Sequence, residues 1–486
     1  MSKNKAYGGA WWKVPSQFIQ VDGKVLEGHS FSKESEDILY SVAFRKMSAK
    51  TQVFHSDVRE HLRTRLTHTL EVARIAMNMA KALGLDEKLA EAIALGHDLG
   101  HTPFGHVGER TIHKFSVGED KKYTDRNGIK MIMPMQMRGF KHNLQSVRLL
   151  VDYTVGGCFS NFVLYGIREH SSLIYKQLGE KGTTTFYDRY SRCCSVVFED
   201  GAELPAWSVE AFLVKWADEI AQRHHDIEDA YFQEIMSPKQ IVKQLEGLYR
   251  LADTEGLQET YRNMQEIADS QETVKDKEQQ YFPKYLTEFV IGVYTGCCIK
   301  EFGKCFGSMV DKYGIGSEGD FSRVYRSIPE KEMKELFSLK GTEIQRADDN
   351  LNKELRYAIL DSYEVQRLDG RNEYIVRRLL RAYKSNPQQL PNAYINRLMK
   401  RELPLLISAQ DYEMLRKKLE ELLEHEITPE KIGKWQDYEC RNALRMLLEI
   451  PDMEHLISPA LMRVIFDYVA SMTDRSAYEE YKELYE

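Results

Sequence analysis

Apolar positions along the 486-residue chain recur with helical spacing over most of its length. From Leu62 to Leu83 they fall at 66, 70, 73, 76, 77, 80 and 83, and Gly84 follows as a C-cap. Asp86 then stands where the N-cap of a helix through residues 88–95 belongs. The same spacing predicts helices over about 140–155, 207–235, 238–270, 280–300, 350–383, 410–425, 437–449 and 459–485. Period-two alternation is scarce. The exception is TTTFYDRYSRCCSVVFED at 183–200, rich in Thr, Tyr, Val and Phe, which predicts a small β-hairpin inserted between helices. Residues 116–139 have no period and carry Gly, Pro and many charges, so they predict a long loop. The pattern as a whole implies an all-α fold. Its expected divisions are an N-terminal arm (1–30), a helical core (31–240) and a helical C-terminal region (241–486).

Composition narrows the class without changing the fold. Thirty Gly, 13 Pro and 11% aromatic residues exclude a collagen-like or disordered chain. No apolar run reaches the ~18 residues of a membrane span, and the N-terminus lacks the apolar stretch of a secretory signal. Seven cysteines without a CxxC pair point to buried thiols in a reducing compartment, so a cytoplasmic location is expected. A net charge of −7 argues against a protein built to coat nucleic acid. Residues 356–402 run the other way, with ten Lys/Arg against five Asp/Glu. Arg377, Arg378, Arg381 and Lys384, with Tyr374 and Tyr383 nearby, suit either an anion site or a solvated face packed against acidic segments. An anion site there would take a triphosphate, a regulatory nucleotide or single-stranded nucleic acid. The Trp11–Trp12 pair suits an oligomer contact or a docked N-terminal arm.

Histidine is the informative residue type. Eleven of the 14 lie between residues 55 and 225. GHDLGHTPFGH, residues 96–106, places three histidines and an aspartate at the end of an apolar helix. At a helix C-terminus His97 and Asp98 can turn jointly toward one ion, and imidazole with carboxylate suits Mn, Fe, Zn or Mg. No cysteine lies close to these histidines in sequence, which weakens a structural-zinc reading. His68 lies within the amphipathic 62–83 helix, and Asp218 lies on another. At 100° per residue Gln222, His225 and Asp226 stand about 40°, −20° and 80° from Asp218 and share its face. Phe212, Trp216, Ala217, Ile220 and part of Ile227 form an opposite core stripe. Spacing alone leaves two readings open, a metal site and a set of hydrogen-bonded structural groups.

These motifs resemble the HD phosphohydrolase superfamily and, within it, the deoxyguanosine triphosphate triphosphohydrolases and related deoxynucleotide triphosphohydrolases. SVAFRKMSAKTQV (41–53) is similar to that branch's opening motif, RTRLTHTLEVA (63–73) to its first histidine motif, and GHDLGHTPFGHVGE (96–109) to its HD motif. FKHNLQSVR (140–148) and ADEIA…HDIED (217–229) follow in the family's order. NPQQLP (386–391) and DYVASMTDRSA (467–477) resemble its C-terminal signature. The likeness runs collinearly over about residues 30–486.

The resemblance implies an HD-domain helical bundle with a C-terminal helical extension that closes the substrate pocket and supports oligomerisation. It implies a divalent metal ion (Mn, Mg or Fe, with Zn also compatible) on His68, His97, Asp98 and Asp218. His106 and Glu109 match a catalytic histidine–carboxylate pair, and His142 another catalytic histidine. Arg65, Gln52, His101 and Asp226 match substrate-binding positions. Gln222 stands where the family commonly has a tyrosine, and an amide cannot stack on a deoxyribose or exclude its 2′ side as a phenol ring does. Asp467, Tyr468 and Arg475 match the tail that closes the pocket. The implied reaction converts a deoxynucleoside triphosphate, dGTP favoured, to 2′-deoxynucleoside and intact triphosphate, in an even-numbered homo-oligomer. The alternatives are phosphomonoester cleavage of another nucleotide and a nucleotide-sensing or nucleic-acid-binding scaffold with weak catalysis. His170 reads equally as a support to the site or as structural, while His224 and His425 read as surface residues.

Overall fold

The computed structural model describes residues 12–51, 63–118, 133–154, 156–270, 275–450 and 453–486. Trp11, Gln52 and most of the 116–139 loop (119–132) lie outside the described residues. Among those described, the regular structure is helical apart from two small two-stranded antiparallel sheets, so the fold is all-α. The elements used below are, in chain order, β1 (Gln20–Val21), β2 (Lys24–Val25), α1 (Phe31–Leu39), α2 (Arg65–Leu83), α3 (Glu87–Gly96), α4 (His106–Ser116), α5 (His142–Arg148), α6 (Asn161–Glu169), β3 (Ser195–Val197), β4 (Glu203–Pro205), α7 (Val209–Phe232), α8 (Met453–Ala470) and α9 (Asp474–Tyr485). The chain forms two compact units, each discontinuous in sequence. One comprises Met1–Gly100, His142–Leu173 and Tyr187–Leu368, and the other His101–Lys141, Ile174–Phe186 and Asp369–Glu486. The boundary at 240/241 expected from sequence thus falls inside the first unit.

In the first unit, caps set the helices that carry the site. Thr64 and Thr67 cap α2 reciprocally, through Thr67 N–H to Thr64 Oγ1 (3.4 Å) and Thr64 N–H to Thr67 Oγ1 (3.1 Å). Gly84 ends α2 in the left-handed region at φ 69°. Asp86 Oδ1 accepts from the N–H of Lys88 (2.8 Å) and Leu89 (3.1 Å) and starts α3. Helices α2, α3, α6 and α7 pack together around buried Val72, Met79, Ile93, Phe162, Ile167 and Ile220. Each such side chain contributes roughly 1.5–3 kcal/mol. The buried stripe of α2 steps from Leu83 through Met79, Ile75 and Val72 to His68 and Arg65. The core therefore turns polar at one end, where His68 and Arg65 are each 1% exposed.

Two glycines admit close approaches there. A Cβ on Gly100 would lie 2.2 Å from the His142 carbonyl oxygen. Gly100 N–H instead donates to Ser146 Oγ (2.8 Å), which donates to the His97 carbonyl (2.8 Å), so the loop after α3 lies directly on α5. A Cβ on Gly96 would meet Ile167 Cδ1 at 2.4 Å. The contact at Gly96 is with the end of a side chain, so Ile167 can give way there more readily than the α5 backbone can at Gly100.

The hairpin expected at 183–200 is displaced. Strands β3 and β4 pair Ser195 with Pro205, Val196 with Leu204 and Val197 with Glu203, while Phe186–Tyr190 and Arg192–Cys194 form tight helical turns. The cause is the spacing of buried groups: Phe186, Tyr187, Tyr190 and Cys194 are buried at three- and four-residue intervals, which a strand cannot present on one face. Tyr187 also donates to Gln145 Oε1 (2.6 Å). A second hairpin, β1–β2, turns at Asp22 and Gly23, both at positive φ; the Asp-Gly pair is its signal in the sequence. Gln20 joins the two hairpins, its amide donating to the Val197 carbonyl (2.9 Å) and accepting from Val197 N–H (2.8 Å). Trp12 stacks on Phe306, so this part of the arm is docked.

In the second unit, C-terminal helices hold the segment that follows the HD motif. Helix α8 packs on α4, with the Phe115 and Phe466 rings 6.1 Å apart. Phe104, at φ 61°, donates its N–H to Asp474 Oδ1 (2.7 Å). Buried Arg463 donates from Nη2 to the carbonyls of Met137 (2.9 Å) and Gly139 (3.1 Å), and its guanidinium lies 3.7 Å from the centre of the Phe186 ring. The helix expected over 459–485 is broken between α8 and α9, where Thr473 and Ser476 cap reciprocally. That expected over 350–383 loosens into a π-helical turn at Arg356–Leu360 and breaks at 361–362.

Glu210, fully buried in the first turn of α7, accepts from Asp86 N–H through Oε1 (3.0 Å), and its Oε2 has no hydrogen-bond partner among the described residues. Burial pushes this carboxyl up to about 7, although the Asp86 N–H favours its anion. With an unfolded value near ~4.3, the native state alone keeps this proton between roughly pH 4.5 and 7, so stability falls as pH rises through that window. Glu210→Gln keeps the acceptor and removes the proton. It should match the parent near pH 5 and exceed it at pH 8 by on the order of 1–3 kcal/mol, read from urea midpoints. A difference that does not change with pH would show an ordinary carboxyl at this position.

Candidate metal centre

In the first unit α2, the end of α3 and α7 bring His68, His97, Asp98 and Asp218 together. His68 Nε2 lies 3.0 Å from Asp218 Oδ1, and His97 Nε2 lies 3.6 Å from the same oxygen and 3.5 Å from Asp98 Oδ1. Donor atoms around one ion with bonds of ~2.0–2.2 Å stand about 3 Å apart, so these separations suit a single coordination sphere. The orientation of His97 provides the test of fit. Its Nδ1–H donates to the Ala94 carbonyl (2.6 Å), so the neutral ring carries its lone pair on Nε2. That atom is buried with no hydrogen-bond partner among the described residues, and it faces two carboxylates. Lone pair against anion is repulsive unless positive charge stands between them. Burial alone would push the His97 imidazolium down, yet Asp98 and Asp218 outweigh it and lift it to about 9. Burial would likewise raise Asp218, but His68 and His97 hold it well below the usual carboxylate range. Two imidazoles and two carboxylates without sulfur fit a divalent Mn, Fe, Mg or Zn ion.

Neighbours fix the set. Asp98 Oδ2 accepts from Arg65 Nη1 (2.6 Å), which leaves Oδ1 turned toward His97. Arg65, matched from sequence to a substrate-binding position, thus holds a carboxylate of the candidate centre. His142 on α5 has Nε2 3.8 Å from Asp98 Oδ1 and 3.2 Å from His170 Nε2. His170 donates from Nδ1 to the Ile167 carbonyl (2.7 Å), so its Nε2 accepts from His142 Nε2–H. Burial, then His97 and His142, hold the His170 imidazolium down to about 3, so the ring stays neutral. His170 is therefore a support to His142, one of the two readings its sequence context leaves open.

The second unit gathers His101, His106 and Glu109, with ligand atoms within 4.8 Å of one another and the rings of His101 and His106 5.1 Å apart. His106 opens α4 and is exposed, whereas Glu109 is buried one turn on. Lys141 Nζ lies 3.2 Å from Glu109 Oε1, and the Tyr175 hydroxyl donates to the same oxygen. Lys141 also sits 3.7 Å over the Tyr175 ring. Sequence reasoning missed Lys141 and Tyr175, whose chain separation from Glu109 gives no periodic signal.

The HD domain family matches residues 65–223, and the phosphohydrolase-associated domain family matches 451–483. A deoxyguanosinetriphosphate triphosphohydrolase-like protein of Geobacter sulfurreducens is 27% identical over 94% of this chain and 89% of its own. One from Bordetella pertussis is 30% identical over 75% of this chain and 81% of its own. The chain belongs to the deoxyguanosinetriphosphate triphosphohydrolase-like family of HD-domain phosphohydrolases. A further member, from Caldanaerobacter subterraneus, is 38% identical over 44% of this chain and 50% of its own.

Other positions matched to the triphosphohydrolase-like family take varied places. Gln222 and Asp226 are both half-buried on α7. Burial, with Asp229 and Glu219 adding to it against Arg223, pushes Asp226 up to about 7. Asp467 is buried, Tyr468 packs against the rings of Tyr383 and Tyr394, and exposed Arg475 pairs with Glu479 (2.7 Å). On the basic helix Arg377 pairs with Glu373 (2.5 Å) and Arg378 stacks against Tyr374 and Tyr485. His425 is exposed, but His224 is not a surface residue; it is fully buried and held by Glu71 and Thr287. No single helix among the described residues is long and apolar enough to cross a membrane; the bent pair α8–α9 passes on length and composition alone.

Asp218→Ala should lose divalent metal entirely, because it removes the oxygen that both His68 and His97 face. Metal analysis of the purified variant checks this; parent stoichiometry would remove Asp218 from the centre.

Proposed function

We propose that this phosphohydrolase is a metal-dependent deoxynucleoside triphosphate triphosphohydrolase, dGTP favoured, releasing 2′-deoxynucleoside and intact triphosphate. The observation that carries the reading is the buried His97 Nε2 aimed at Asp98 and Asp218, in a chain whose motifs follow the family's order. The name shared by the relatives supplies the substrate, and the likeness over 94% of the chain supports carrying it here. A divalent ion on His68, His97, Asp98 and Asp218 would supply Lewis-acid polarisation of a phosphate oxygen and counter-charge to the triphosphate.

The chain's own groups do the rest. Arg65 holds Asp98 in place, and its guanidinium adds positive charge for a polyanion. His142, its Nε2–H tied to His170, is held in one ring orientation for proton transfer. His106 is the second proton-transfer group, with Glu109 within 4.8 Å to stabilise its imidazolium. Lys141 and Tyr175 both donate to Glu109 and hold its carboxyl in place. Gln222 is the position at which deoxyribose and ribose would be told apart least sharply.

Metal-loaded protein should be assayed with four dNTPs and four rNTPs and the phosphate products identified. Intact triphosphate, with dGTP turned over fastest, is expected. Orthophosphate would identify phosphomonoester chemistry instead, and tight binding without turnover a nucleotide-sensing scaffold. His106→Ala should retain metal and lose ~10²–10⁴-fold in kcat; an unchanged kcat would remove His106 from the proton transfers.

A further inference from the structure

On the side of His68 turned away from Asp218, polar groups follow one another in a buried run. His68 Nδ1 lies 3.1 Å from His225 Nδ1, and His225 Nε2 lies 2.8 Å from Glu71 Oε2. The other Glu71 oxygen, Oε1, lies 2.8 Å from His224 Nδ1, and His224 Nε2 lies 2.8 Å from Thr287 Oγ1. Arg63 stands 3.7 Å from Glu71 Oε2 and keeps that carboxyl in a cationic setting. His68, His224 and His225 are each at most 1% exposed, so water does not satisfy these nitrogens.

The hydrogens can be placed from this geometry. A carboxylate only accepts, so His224 Nδ1–H and His225 Nε2–H both donate to Glu71. A neutral His225 then carries its lone pair on Nδ1, which accepts from His68 Nδ1–H. That leaves the remaining lone pair of His68 on Nε2, the atom 3.0 Å from Asp218 Oδ1. The opposite placement, with His225 Nδ1–H donating, would turn the lone pair of a neutral His225 Nε2 against the Glu71 carboxylate. Helix spacing builds the run: Glu71 lies one turn after His68 on α2, and His225 two turns after Asp218 on α7. Each helix thus contributes one candidate ligand and one supporting group, and the run passes from α2 to α7 and back.

We infer that His225 and Glu71 are positioning residues, which hold His68 in the tautomer and ring orientation that present Nε2 to a divalent cation. The inference rests on the reading of His68 as a ligand of the metal centre. Partners of this kind, one bond removed from the ion, commonly change metal affinity by ~10–100-fold.

The test uses full-length protein stripped with EDTA and titrated with Mn²⁺ against a chelating indicator. His225→Leu should weaken Mn²⁺ by about 10–100-fold. His225→Asn should recover most of that loss, because the amide Oδ1 can occupy the place of Nδ1 as an acceptor. A packing role predicts the reverse order, since leucine fills the buried volume and asparagine does not. Glu71→Gln, at a half-buried position, should weaken Mn²⁺ more mildly and decides the matter if the His225 variants do not fold. Parental affinity in His225→Leu or Glu71→Gln, or His225→Asn no better than His225→Leu, overturns the inference and leaves the metal centre standing. A parent protein that binds no Mn²⁺ overturns both.

Discussion

Two carboxylates, buried Asp98 and half-buried Asp218, both face His97, and the surrounding structure answers the negative charge this concentrates. In a protein interior an uncompensated ionised carboxylate costs several kcal/mol. Here Arg65 takes one oxygen of Asp98, and His68 and His97 face Asp218. Without a metal, the remaining charge calls for a proton on His97, which, against its burial, Asp98 and Asp218 lift to about 9. A divalent cation held there would complete the balance, and would couple metal binding to stability because the candidate ligands come from three separate elements.

That dependence explains where the centre lies. A helix places side chains three and four residues apart on one face, so a stripe that buries apolar groups along most of its length can end in ligands without any change of backbone. On α2 the stripe runs from Leu83 to His68, and on α7 Asp218 lies one turn from buried Val214 and Ala221 on the same face. The apolar part of each helix fixes its rotation and depth. The polar part inherits that rotation, which is how His68 and His97 both come to face Asp218. Gly96 and Gly100 let α6 and α5 close on the HD loop with no Cβ in between.

The same periodicity decides what could be read from sequence. His68, His97, Asp98 and Asp218 stand out as candidate ligands through motifs shared with the family, since spacing alone leaves a hydrogen-bonded set equally open, whereas the caps at Gly84 and Asp86 are legible because they need particular residue types. The hairpin was misplaced because Thr, Tyr and Val favour strands in general, while burial of Phe186, Tyr187, Tyr190 and Cys194 at helical intervals overrode that preference locally. His224 was misjudged because a histidine between charged neighbours reads as exposed, and only the return of α2 against α7 places Glu71 beside it. Lys141 and Tyr175, which meet at Glu109, are separated from it by 32 and 66 residues, and no local pattern connects them.

The discontinuity of the two units has a consequence for how substitutions far from the HD motif act. Residues 101–141 lie within the matched HD domain, yet they belong to the same compact unit as the C-terminal helices. Within that unit Asp474 holds Phe104 in its left-handed turn, and Arg463 holds the carbonyls of Met137 and Gly139. Both lie in the segment matched by the phosphohydrolase-associated domain. The two matched segments, far apart in sequence, thus share one packing problem: among its described residues, the backbone that carries His101, His106 and Glu109 has few regular elements beyond α4. It takes its rigidity from α8 and α9. A change at Asp474 frees a strained turn one residue before the N-cap of α4, so its effect would be felt first in the aim of His106.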